Sequence, residues 1–233
     1  MTTLGIDLSS QSRDTAACVV EWRDGAATAS PAKIGCSDSE LDRLIAGANA
    51  IGIDAPFGWP AAFEAAVAQW TAQSWTNDLR DKLRFRGTDR FVQERTGLWP
   101  LSVSSDRIAL PAMRAMALLR RHNVTDRSGD GRFFEVYPAG SLRSWKLTHN
   151  RYKGSDPENV AVRKRVLFEL RVAIPCLSVA DDLASSDHGF DALVAALSAR
   201  VAAQGMSVRP ADERQRSAAR TEGWIHLPGA FPQ

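Results

Sequence analysis

Four short segments carry the residues that could do chemistry. Leu4-Gly5-Ile6-Asp7 and Ile51-Gly52-Ile53-Asp54 each close an apolar run with an acid. Phe134-Glu135-Val136-Tyr137 holds an acid inside such a run, and Asp187-His188-Gly189-Phe190-Asp191 leads into a long apolar stretch. A carboxylate beside buried strands is costly unless a partner offsets its lost hydration. A hard divalent cation is the simplest partner common to all of them. The pattern therefore points to a site for Mg²⁺ or Mn²⁺, with hydrolysis of a phosphodiester as the leading chemistry. In a two-ion site, one ion acidifies the attacking water and the other stabilises the leaving oxygen.

Asp7, Asp54, Glu135 and Asp191 are the catalytic candidates; Asp7, Asp54, Asp187 and Asp191 are the candidate metal ligands. Each has a plainer alternative. Asp7 and Asp54 stand where an acid caps the turn after a strand. Glu135 would also be satisfied by an arginine. Asp187 and Asp191 are four apart, on one side of a helix, where acids favour the N-terminal dipole. Of the two, Asp191 lies deeper, directly before Ala192-Leu193-Val194, and is the better ligand candidate. His188 is a first-turn surface residue or a proton shuttle. Arg84, Arg86 and Arg90, with Arg95, form an arginine-rich stretch whose forks match phosphate oxygens. Lys153, in Tyr152-Lys153-Gly154, is a further phosphate contact on a loop. The tryptophans offer stacking surfaces for bases, but most are expected to fill gaps in the core.

These side chains need a scaffold. Apolar runs predict strands over residues 3–8, 15–22, 27–34, 50–54 and 132–137, the third weakened by Pro31. Ser37 and Glu40 open a helix with the stripe Leu41, Leu44, Ile45 and Ala48. Helical patterns also cover residues 60–73, 106–122, 158–172 and 187–204, the last being the final long helix. Residues 223–228 are a candidate edge strand. A hairpin meander followed by crossovers through helices gives a mixed five-stranded sheet flanked by helices, in an α/β domain over residues 1–233. Residues 57–131 form a helical insertion between the fourth and fifth strands. With the first and fourth strands parallel neighbours, Asp7 and Asp54 would sit side by side at their C-terminal ends, where open α/β sheets place their sites.

The chain of 233 residues is 44% hydrophobic, enough for one sizeable core, and its net charge of +2 is low for a protein that coats nucleic acid. Its three cysteines have no metal-knuckle spacing and read as free thiols. No leader and no long apolar span is visible, so a cytoplasmic protein with no membrane association is expected.

The chain resembles the prokaryotic family of domain of unknown function 429, whose members are labelled predicted RNase H-like nucleases. The resemblance rests on Gly5-Ile6-Asp7-Leu8-Ser9-Ser10, Ile53-Asp54-Ala55-Pro56-Phe57-Gly58, Arg86-Gly87-Thr88-Asp89-Arg90, Glu135-Val136-Tyr137-Pro138, Asp187-His188-Gly189-Phe190-Asp191-Ala192-Leu193 and Glu222-Gly223-Trp224-Ile225. It implies a ribonuclease H-like fold and a nucleic acid or other phosphoester as partner. The closing Asp-Ala-Leu is similar to the last acidic motif of Holliday-junction resolvases of that superfamily. There the second strand acid is usually Glu, where this chain has Asp54. Gly5-Ile6-Asp7-Leu8-Ser9-Ser10 is also similar to the first phosphate loop of the actin and sugar-kinase superfamily, so an ATP-binding phosphotransferase is one alternative. That architecture needs two such halves and a second Gly-rich loop, which this sequence lacks. A non-catalytic nucleic-acid-binding module is the other alternative.

Overall fold

The structure is a computed structural model that describes residues 1–70, 75–129 and 131–233. Its centre is a mixed sheet of seven strands: β1 (Thr2–Asp7), β2 (Ala16–Arg23), β3 (Ala26–Ala29), β4 (Lys33–Ile34), β5 (Ala50–Asp54), β6 (Phe133–Glu135) and β7 (Leu177–Ser178). The order is β6-β5-β1-β2-β3-β7, and β4 pairs with β2. β1 is antiparallel to β2 and parallel to β5. β6 is parallel to β5, and β7 to β3.

The sheet is thus larger than the expected five strands, for two local reasons. Residues 30–32, with Pro31, interrupt the expected third strand, and the pieces on either side pair with different stretches of β2. Proline cannot donate to the ladder, so the break falls there. The short β7, one leucine and one serine, adds an edge that two residues could not announce in the sequence.

Nine helices flank the sheet among the described residues: α1 (Asp38–Ala46), α2 (Ala61–Gln69), α3 (Asn77–Arg84), α4 (Gly87–Thr96), α5 (Asp106–Arg121), α6 (Pro138–Ser144), α7 (Pro157–Ala173), α8 (Asp187–Ala203) and α9 (Glu213–Glu222). Four of them, α2 to α5, lie between β5 and β6. The polar, arginine-rich stretch between the helical patterns at 60–73 and 106–122 itself forms α3 and α4. Residues 71–73, expected to be helical, lie outside the described residues. α8 is not the last helix, because α9 follows it. The candidate edge strand at 223–228 reduces to single-residue bridges, Ile225 beside Glu135 and Pro228 opposite Ser207.

Strand alternation divides the core. Leu4, Ile6, Leu8, Ile51 and Ile53 face α1 and α5, packing on Leu41, Ile45, Ala115 and Leu118. α1 is fixed by its capping box: Glu40 N–H donates to Ser37 Oγ and Ser37 N–H to Glu40 Oε2, at 3.4 and 2.9 Å. On the other face α8 lies against the sheet and beneath α6 and α7. Thirteen of its seventeen residues are buried, so it is enclosed on nearly all sides.

Gly5 and Gly52 make that enclosure possible. A Cβ on Gly5 would lie 1.8 Å from the Ala192 carbonyl oxygen, and one on Gly52 would lie 2.3 Å from that of Ala195. No side chain fits between strand and helix at either position. Because side chains alternate, the residue two positions on, Asp7 or Asp54, faces the same helix. The repeated Gly-Ile-Asp is therefore a packing device and a functional device in one: the glycine lets α8 rest on the strand backbone, and the acid meets what α8 carries. Among the described residues no helix is long and apolar enough to cross a membrane.

Candidate metal centre

Asp7 and Asp54 are register partners at the ends of parallel neighbours β1 and β5. α8 brings Asp191 to them from its second turn. One oxygen of each of the three lies within 4.8 Å of the others. Oxygens on opposite sides of one Mg²⁺ are about 4 Å apart, and around one Ca²⁺ about 5 Å apart. The three carboxylates therefore match the inner shell of a single hard cation after small side-chain rotations. All three are oxygen donors, with no thiolate among them, which suits magnesium or manganese.

The electrostatics agree. Burial, reinforced by Asp7, pushes the Asp54 carboxyl up to about 7. An acid held so high is a site short of positive charge. Two cations of the chain reach toward it. Lys153 donates to Asp191 Oδ2 in a close ion pair, and His188 Nδ1 donates to Asp7 Oδ2 at 2.6 Å. That bond outweighs burial and raises the His188 imidazole above its ordinary range. Tyr152 donates its hydroxyl to Asp191 Oδ1 at 3.0 Å. Burial, then Asp54, keeps that phenol protonated well beyond its usual range. Asp7 and Asp54 form part of the wall of a cavity of about 530 Å³, with Tyr137, Lys153 and His188 among its other lining residues, while Asp191 is fully buried.

Supports behind this site were not visible in the sequence. Arg163 is fully buried and donates to the carbonyls of Tyr152, Gly154 and Ala184, tying the loop that carries Lys153 to the segment before α8. Arg114 of α5 donates to the Ser9 carbonyl at 2.8 Å, to Thr15 Oγ1 at 2.6 Å and to Asp38 at 2.7 Å. It thereby holds the turn that follows Asp7. Each of these contacts spans a sequence distance over which no local pattern operates. Tyr152 did carry a signal, since it adjoins Lys153.

Other candidate residues are placed differently. Asp187 stands outside the three-acid cluster. Its Oδ2 accepts the Gly154 N–H at 2.7 Å and its Oδ1 accepts the His188 N–H. Burial raises its carboxyl, but the Gly154 bond and the charges of His188, Lys153 and Arg163 hold it below the ordinary value. Glu135 reaches the cavity wall but is paired there with Arg86, at 2.7 and 3.0 Å, and accepts the Phe57 N–H. Arg86 also grips Asp89 and is 1% exposed, so its guanidinium is spent inside the protein rather than offered to a substrate. Arg90 donates to the Asp81 carbonyl, and Arg84 lies over the Phe85 ring; neither lines the acid-bearing cavity. Lys153 alone of the four phosphate candidates is at the cluster. The tryptophans divide by region. Trp22, Trp145 and Trp224 are buried, whereas Trp70, Trp75 and Trp99 in the insertion are 90%, 72% and 48% exposed. The expectation that most fill the core fails for the insertion.

The chain belongs to the family described as "Protein of unknown function (DUF429)", whose profile matches residues 5–215. Nothing among curated proteins or solved structures matches it.

Proposed function

We propose that this member of the family is a metal-dependent phosphodiesterase of the nuclease type, built on a ribonuclease H-like sheet. One observation carries the reading: Asp7, Asp54 and Asp191, from three distant segments, bring carboxylate oxygens within 4.8 Å of one another. The strand order supports the architecture, with an antiparallel meander β1-β2-β3 and β5 entering parallel beside β1.

In this reading Asp7, Asp54 and Asp191 hold Mg²⁺ or Mn²⁺. The bound ion supplies an acidified water and neutralises charge on the phosphoryl oxygens. Tyr152 fixes the rotamer of Asp191 by its hydroxyl bond. His188 has committed Nδ1 to Asp7, so Nε2 is the atom that exchanges a proton with substrate or water. Lys153 is 55% exposed in its side chain and sits on a loop, so its ammonium can move from Asp191 to a phosphate oxygen. The three acids form one cluster, and Asp187 would join a second ion only by releasing the Gly154 N–H.

The test is cleavage of a panel of RNA, DNA, hybrid and branched substrates with Mg²⁺ and with Mn²⁺. The expected result is metal-dependent cleavage that Asp7→Asn lowers by about a hundredfold or more, some 2.7 kcal/mol of transition-state stabilisation. A panel left intact with both metals contradicts the proposal. Nucleic-acid binding that survives EDTA without turnover would instead favour a binding module. Stoichiometric calorimetric binding of ATP with magnesium would favour the phosphotransferase alternative.

A further inference from the structure

The cavity and the hollows beside it gather several cations. Elsewhere some arginines and lysines are matched to acids: Arg114 and Arg121 to Asp38 and Asp42, Arg216 and Arg220 to Glu213, Lys82 to Asp78. Around the cavity Arg86, Lys153 and Arg165 are matched as well, but five others are not. Arg95, Arg107, Arg143, Lys146 and Arg151 have no carboxylate within ion-pair distance among the described residues. Arg143 gives one N–H to the Thr96 carbonyl and has the rest of its fork unused in the described contacts.

These cations lie along one path. His149 and Asn150 line both the acid-bearing cavity and a neighbouring hollow of about 660 Å³, whose walls also carry Arg95, Arg143 and Lys146. Asn150 and Arg151 line a third hollow, with Arg165 and a single acid, Glu158. Arg107 also lines the cavity. The three hollows share lining residues and so adjoin one another in one groove-like run. Five of the cations along it, Arg95, Arg107, Arg143, Lys146 and Arg151, pair with no carboxylate among the described residues, and the run includes the cavity lined by Asp7 and Asp54.

We infer that this groove, formed by residues 143–151 with Arg95 and leading into the cavity beside Arg107, is the track for the backbone of a single-stranded polynucleotide. The inference rests on the phosphodiesterase reading for what happens at the acids, but the binding it describes needs no turnover. Unpaired cations in series suit a chain of phosphates rather than one small phosphoester. The recess argues for a single strand. Asp7 and Asp54 line the cavity, Asp191 of the same cluster is fully buried, and part of the cavity wall is apolar at Pro100, Leu101, Ile108 and Pro111. A strand that dips into this recess must turn sharply and present an unstacked base to that wall. A duplex has its bases paired and is stiff over about 150 base pairs. Trp99, 48% exposed and adjoining Pro100 and Leu101, offers a stacking face at the rim.

Fluorescence anisotropy in EDTA tests the track without cleavage, using labelled oligothymidylate, oligouridylate and a blunt DNA duplex. The probe variant is Lys146→Glu with Arg151→Glu; both residues are exposed and hold no side-chain hydrogen bond among the described contacts. The control, Arg43→Glu with Arg120→Glu, makes the same change in net charge outside the groove. The expected result is binding of one or both single strands more tightly than the duplex. The probe variant should weaken that binding roughly tenfold or more and lower the salt slope by about 1.4, two phosphates at ~0.7 each. The control should leave the affinity within about twofold. Melting curves show whether the double variant folds; if it does not, Lys146→Ala and Arg151→Ala are read singly, against the same control. A probe variant indistinguishable from the control overturns the track, and a duplex bound as tightly as the strand overturns the choice of occupant. A protein that binds through this groove but never cleaves keeps the track and sinks only the phosphodiesterase reading.

Discussion

Two groups of buried or half-buried acids gather around neighbouring strands of this sheet, and they are solved in opposite ways. Glu135 on β6, with Asp89 of α4, encloses the guanidinium of Arg86, and five nitrogen–oxygen bonds to carboxylates and the Glu222 carbonyl complete the arrangement. Among the described residues, Asp7, Asp54 and Asp191 have no arginine as a partner. They lean on a half-exposed lysine and a half-exposed histidine, and Asp54 is left with its carboxyl pushed up to about 7. Burial of an acid is common to both groups and so says nothing about function. The partner decides: a rigid internal cation closes one group, and movable cations leave the other open to an external one.

The largest expected effect breaks the closed group. Arg86→Met strands Glu135 and Asp89 without a counter-charge and should cost about 3–5 kcal/mol of stability, measured by denaturant unfolding at neutral pH. The loss should shrink as pH falls. Burial raises the Glu135 carboxyl above its ordinary value, and without the Arg86 guanidinium the largest opposition to that is lost, so protonating it relieves the penalty. A loss below about 1 kcal/mol would mean that the network is not what holds these acids.

The opposite sign is expected in the open group. A carboxyl raised to about 7 in the fold, against an ordinary value near 4, costs stability above pH 4, and the cost is greatest above pH 7. Asp54→Asn cannot ionise, so the metal-free variant should melt higher than the unsubstituted protein at pH 8. A gain of about 1 kcal/mol corresponds to roughly 2–4 °C. The gap should close toward pH 4, and Mn²⁺ should no longer raise the melting temperature of the variant. A variant that melts lower in the absence of metal would contradict the account of a charge-starved site.

The smallest effect sharpens the comparison. Lys153→Ala removes the ammonium that competes for Asp191. Metal-free stability should fall by about 1 kcal/mol or less, because the lysine is half-exposed. Calorimetric affinity for Mn²⁺ should rise by up to roughly fivefold, the equivalent of that 1 kcal/mol. Unchanged or weaker Mn²⁺ binding would mean that Lys153 does not occupy the cation's place.

The same contrast explains what the amino-acid sequence discloses. Asp7 and Asp54 were legible because each ends a strand whose apolar run is local and whose parallel pairing follows from topology. β5 has the bounds its residues predict, and α1 begins where Ser37 and Glu40 say it should. The close approach of α8 to Gly5 and Gly52 was not legible, since a glycine in a strand has several meanings until the opposing backbone is known. Glu135 read as a catalytic candidate or the partner of some arginine, and the choice was not legible because that partner, Arg86, lies 49 residues away at the start of a helix. Arg163 and Arg114 act through carbonyls of distant loops, and no residue type marks a carbonyl as waiting for a donor. Sequence patterns register strand ends and helix starts well; they register poorly the cation that makes one buried acid inert and another available.

Diffraction from crystals soaked in Mn²⁺, recorded for anomalous signal, bears most directly on the shared cation site. The account predicts a peak bonded to oxygens of Asp7, Asp54 and Asp191 at once, with the Lys153 ammonium displaced from Asp191. An empty cluster with Lys153 still in place, or manganese bound only elsewhere, would contradict it.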